Sequence, residues 1–245
     1  MAQTPDTPQA PVPTPANLVS RFVGVLFSPR QTFQGIVAAP RWLGMLLLIA
    51  IFMGLVTFLF LSTQVGRDAV LDQQVSAMEA FGVTVSDQMY AQLEGRLAYA
   101  RYTGAASQLV ALPIVYLIMA GILFAIFNAA MGGDATFKQV YTVVVHSGAV
   151  SIVQQLFVMP LNYYRGSMNS PTNLAAMLPM LPEKSFLTYL LGTVDIFLIW
   201  SLFVLAIGLA VLYRRRTQPV AITLFVIYAV VALCIAGVRS WMGGS

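Results

Sequence analysis

The sequence predicts an all-α, polytopic membrane protein: a bundle of five transmembrane helices, with interfacial amphipathic helices at the N-terminus and a helical hairpin in the first extramembrane loop. Three observations predict it. Of 245 residues, 58% are hydrophobic and 9% charged, with a mean hydropathy of +0.79, whereas soluble domains carry about 25% charged residues. Apolar runs of membrane-crossing length recur along the chain, each able to span the roughly 30 Å hydrocarbon core as a helix. The charges that remain gather at the ends of those runs.

Residues 1–16, "MAQTPDTPQAPVPTPA", hold five prolines, no basic residue and no apolar run, and read as a disordered Pro-rich tail. They lack the pattern of a secretory signal peptide, and Met-Ala at the start does not fit N-myristoylation. Residues 17–41 read as interfacial amphipathic helices, able to lie in the cytoplasmic interface with the apolar face down, to pack on the protein's own spans, or both. "NLVSRFVGVLF" gathers Asn17, Ser20, Arg21 and Gly24 on a polar arc and Leu18, Val19, Phe22 and Leu26 on an apolar one. In "SPRQTFQGIVAAPRWLG", Ser28 and Gln31 have capping-box spacing and Pro29 takes the favoured first helical position. Phe33, Ile36 and Val37 share one face, Pro40 ends the helix, and Trp42 belongs at headgroup depth.

The membrane domain, residues 42–238, divides into spans at about 42–62, 107–131, 138–159, 186–213 and 219–238. Pro113 removes a backbone bond within the second span, where a kink is expected. The loop 64–106 carries two amphipathic segments separated by "GVT". Gly82 is placed to stop the first, and Thr84 or Ser86 to cap the second, which is expected to run into the second span. Gly132 and Gly133 close the second span, and a Thr136/Gln139 capping box opens the third. Between the third and fourth spans, Ser170 as N-cap and Pro171 predict a short helix ended by Pro179 and Pro182.

Basic residues set the expected orientation. With the N-terminus in the cytoplasm, that side receives Arg21, Arg30, Arg41, Lys138 and the run Arg214-Arg215-Arg216, against the acids Asp6 and Asp134. The other side receives Arg67, Arg96, Arg101, Arg165, Lys184 and Arg239, with about as many acids. The triple arginine decides for a cytoplasmic N-terminus and an outer C-terminus, in a bacterial inner membrane. Arg21, Arg30, Arg41, Arg214, Arg215 and Arg216 are the candidate lipid-headgroup contacts, each contributing on the order of 1 kcal/mol near anionic lipid.

Asp195 and His146 fall at membrane depth, where ionisable groups are expensive and demand partners. The expected partnership is an interhelical hydrogen bond from Asp195 to His146 or Gln154. It is read as packing, with a proton or solute path as the alternative. Nucleophilic catalysis is not expected: Ser147 and Ser151 point away from His146 on their shared helix. One histidine and the lone Cys234 supply neither a metal site nor a disulfide. "MGGDATFKQV" lacks phosphate-loop spacing. No enzyme, cofactor or nucleic-acid partner is expected. Small residues four apart, Gly121/Ala125/Ala129, Ser147/Ser151 and Ala206/Ala210, permit close helix approach.

The motifs "SPRQTF" with "PRWLG", "MGGDATFKQV" and "DIFLIWSLFVLAIGLA", in that order on a five-span pattern, resemble the bacterial branch of the Yip family of Ypt-interacting-protein-like membrane proteins. The resemblance runs from Leu26 to the C-terminus and implies a non-enzymatic five-span membrane domain. Eukaryotic relatives recruit small GTPases, often through an acidic-Leu-Tyr-Gly-Pro motif; the matching place here reads "VAAPRW", so no GTPase contact residues are assigned. Two functions follow as expectations. One is a protein that organises membrane or recruits protein partners, including a second copy of itself. The other is a small-solute or ion transporter built on Asp195 and His146.

Overall fold

The computed structural model describes residues 17–80, 82–178, 180–182 and 185–243. The tail 1–16 and the helix stop expected at Pro179 lie outside them. Among the described residues the chain forms ten α-helices and no strand. Helices α1 (Leu18–Phe27) and α2 (Pro29–Ala38) precede α3 (Leu43–Ser62). Helix α4 (Gln64–Ala80) leads into α5 (Asp87–Phe124), which continues as a π-helical turn, Ala125–Ala130. Then come α6 (Phe137–Ser147), α7 (Ala149–Arg165), α8 (Phe186–Thr193), α9 (Ile196–Leu212) and α10 (Thr217–Gly243).

Four stretches are long and apolar enough to cross a membrane: Leu43–Ser62, Asp87–Ala130, Phe137–Arg165 and Thr217–Trp241. The expected continuous fourth span, 186–213, is broken. Val194 and Asp195 are extended, and Asp195 opens α9 as its N-cap by accepting from the amides of Phe197 and Leu198. The hydropathy of "FLTYLLGTVDIFLIW" hides this stop. An aspartate in a position to cap is the residue-level signal for it.

The hairpin forms as expected. Gly82 takes a positive φ of 75° after α4, and the Ser86 hydroxyl accepts from Met89 N. Helix α5 then runs unbroken through Pro113 toward the second span's end. The third span extends six residues past Met159 to Arg165, with Pro160 inside α7, and it is interrupted at Gly148. Ser170 does not cap a helix; its hydroxyl donates to Asp195, and the described residues that follow form one 3₁₀ turn, Ala175–Met177.

Helices α1 and α2 fold against the bundle. Val25, Phe33 and Ile36 are fully buried, and Phe33 packs with Val143 where α9 presents Gly208. Pro29 starts α2 as expected, but the Ser28 side chain makes no cap bond. Ser28 also ends α1, its amide donating to Gly24 O, and this leaves it at φ −140°, ψ 56°. The centre of the bundle is the third span: residues 141–147, 149 and 150 are all buried. Ala206 and Ala210 share that core, whereas Ala125 and Ala129 are exposed.

Candidate functional site

Three polar groupings stand out against the apolar bundle. The first surrounds the interruption in the third span. His146 is fully buried, its Nδ1 donates to Thr142 O at 2.8 Å, and its Nε2 has no hydrogen-bond partner. Thr142 and Ser147 hydroxyls return to the carbonyls of Lys138 and Val143, four residues back. Such bonds satisfy hydroxyls inside lipid without a second helix. Gly148 lies against Tyr116 of α5: a Cβ at Gly148 would stand 2.2 Å from the Tyr116 hydroxyl. Ser151 of α7 lies close to Tyr116 and donates its hydroxyl to Gly148 O at 2.7 Å. Arg21 of α1 is buried rather than turned to lipid, and lies within electrostatic reach of both His146 and Arg41. Burial first, then Arg41, lowers the Arg21 pKa from its ordinary value.

The second grouping is at Asp195, which is also buried. One carboxylate oxygen accepts from the amides of Phe197, at 2.9 Å, and Leu198. The other accepts from the hydroxyls of Ser170 and Thr172. Backbone bonds from Leu174 N to Val194 O and from Ile196 N to Thr172 O complete the clasp. The expected bond from Asp195 to His146 or Gln154 is therefore not formed. The helix break turns the carboxylate toward the loop between α7 and α8, where two hydroxyls and two amides satisfy it locally. Sequence reading placed Asp195 inside a continuous helix and so missed Ser170 and Thr172 as its partners.

The third grouping joins the connections at the opposite end. Tyr213 donates its hydroxyl to Asn128 Oδ1, Asn128 Nδ2 donates to Ala135 O, and Arg215 donates to Met131 O at 2.6 Å. The Tyr213 ring stacks on Phe127 at 5.4 Å and covers Gly133, where a Cβ would come within 2.4 Å of it. Trp42 meets Tyr141 edge-on at 5.3 Å. "MGGDATFKQV" and "YRRR" are thus two halves of one lock, and the Thr136/Gln139 capping box forms as expected. Of the six candidate headgroup arginines, Arg30, Arg41, Arg214 and Arg216 are exposed, Arg215 caps the π-helical turn, and Arg21 faces the core. Among the described residues no group of three metal-ligating side chains comes together.

Long apolar helices packed around a core helix define an integral, multi-pass helical membrane protein. The Yip1 domain matches residues 23–238, and the chain belongs to that family. No curated protein and no solved structure matches it.

Proposed function

We propose that this chain is a non-enzymatic, five-span member of the family's bacterial branch, one that organises membrane or recruits protein partners from the inner membrane. Its N-terminus lies in the cytoplasm and its C-terminus outside. The fifth crossing is α8 and α9 together. Placed end to end, residues 186–212 would reach about 40 Å at 1.5 Å per residue, and Asp195 at their non-helical joint is buried and hydrogen-bonded within the protein, as the lipid core requires.

The observation that carries the organising role is the division of labour at the basic end. Asp195, Thr142 and Ser147 are bonded into the packing, while α1 leaves Val19, Val23 and Phe27 exposed, four residues apart, in the same N-terminal segment as exposed Arg30 and Arg41. An apolar stripe beside cations is what an interfacial helix presents to anionic lipid or to a partner helix. Reporter enzymes fused to the two tails test the topology: they report opposite sides of the membrane, and reports from one side would defeat it. Crosslinking in native membranes followed by mass spectrometry tests the role, which requires stable protein neighbours.

Transport is the second reading, favoured by two interrupted spans and by the unpartnered His146 Nε2. It requires a solute leak in protein-loaded liposomes that His146→Ala and Asp195→Asn abolish.

A further inference from the structure

We propose that the groove between α9 and α10 at the basic end seats one acyl chain of an anionic phospholipid, whose phosphate is held by Arg214 and Arg216. This rests on the membrane reading above and goes beyond it by assigning a site and a headgroup charge.

The groove offers about 600 Å³ and lies open along its length on the outer face of the bundle, as a site for a chain entering from lipid must. One wall is a single face of α10, from Thr217 through Ala221 and Phe225 to Ala229, with Phe203 of α9 opposite. From Thr217 to Ala229 the helix advances about 18 Å, at about 1.5 Å per step, a little over half of the roughly 30 Å hydrocarbon core. That is the depth of one leaflet, and therefore of a chain entering from the basic end. Phe203 and Phe225 meet with ring centroids 5.0 Å apart and form the floor, while Ala221 and Ala229 leave the room above it. The lining is apolar except for Thr217 and Gln218 at the mouth.

The mouth selects the headgroup. Arg216 directly precedes Thr217, and Arg216 and Arg214 are both exposed, whereas Arg215 is already bonded to Met131 O. The first amides of α10 are helix-terminal donors that point the same positive end outward. Among the described residues of the connections at this end, 39–42, 131–136 and 213–216, the acid is Asp134, against Arg41, Arg214, Arg215 and Arg216. A second copy of the chain would bring the same cations to the same mouth, so charge favours the lipid over a partner protomer.

The test uses the full chain in vesicles of equal parts phosphatidylcholine and phosphatidylglycerol. It compares two photoreactive probes, with the same diazirine acyl chain on one headgroup or the other. The phosphatidylglycerol probe labels the segments around Phe203, Ile222 and Val226 in preference to the phosphatidylcholine probe. The surface variant Arg214→Gln/Arg216→Gln lowers that preference about thirtyfold, the worth of two basic residues at a membrane surface. Ala229→Phe fills the groove and lowers labelling by both probes. Equal labelling by the two probes, or an unchanged preference in the arginine variant, overturns the proposal. So does an Ile222→Cys variant that forms a disulfide between copies and excludes the probe. Carbonate extraction of the same vesicles distinguishes these results from failure of the membrane reading, in which the chain leaves the pellet.

Discussion

Phe137–Arg165 and Thr217–Trp241 are both of membrane-crossing length, yet 56% of the most apolar stretch of the first is buried by protein and only 22% of the second. Their mean hydropathies run the other way, 1.5 against 2.7. The wrapped helix carries Thr142 and Ser147, whose hydroxyls return to carbonyls of their own helix, and His146, which neighbouring helices cover completely although its Nε2 has no hydrogen-bond partner. The lipid-facing α10 places few polar groups along its length, Thr223 returning to Pro219 O and Tyr228 reaching Thr193 O, and it exposes Ile222, Val226, Val230 and Val231. Lateral position in the bundle is thus written into how apolar each span is, and not only into where each span begins.

Paired substitutions in these two helices test the contrast most directly, with melting in detergent as the readout. The largest effect is expected at Gly148. Gly148→Leu forces atoms into the Tyr116 ring and is expected to cost about 3 kcal/mol, the upper part of the usual overpacking range. If Gly148→Leu melted with the parent, the third span would not be a packed core. Asp195→Ala comes next, at about 2 kcal/mol, because it strips the N-cap and leaves the Ser170 and Thr172 hydroxyls without their acceptor. Asp195→Asn keeps part of the cap and is expected to cost less.

Val143→Ala and Val230→Ala delete the same atoms in opposite surroundings. The first, at a fully buried position, is expected to cost about 1–2 kcal/mol, and the second, 55% exposed, less than about 0.5 kcal/mol. Equal costs would break the comparison. The smallest effect belongs to Gly237→Ala, where an added Cβ meets nothing within 4 Å. It is expected to change melting by no more than about 0.5 kcal/mol in either direction.

The elements most legible in the sequence are those governed by local chemistry. The start of α3, the turn at Gly82, the Ser86 cap and the Thr136/Gln139 box follow from residues within a few positions of one another. The break at Asp195 is local too, but a continuous hydropathy signal covers the one residue that announces it. What stays hidden depends on packing between distant segments. Arg21 reads as a headgroup contact because helical spacing shows which residues share a face, not which face meets protein. Tyr116 reads as one more apolar-span aromatic until α5 sets it against Gly148. Asn128 and Tyr213 are 85 residues apart, and no periodicity links them.

That last separation bears on how the molecule is made. The carbonyl of Met131 and the side chain of Asn128, at the end of the second span, obtain partners from Tyr213 and Arg215, which a ribosome delivers more than 80 residues later. A nascent chain stopped anywhere before residue 213 carries an unfinished helix terminus at the membrane surface. The end of the second span is therefore completed only when a segment made much later reaches it.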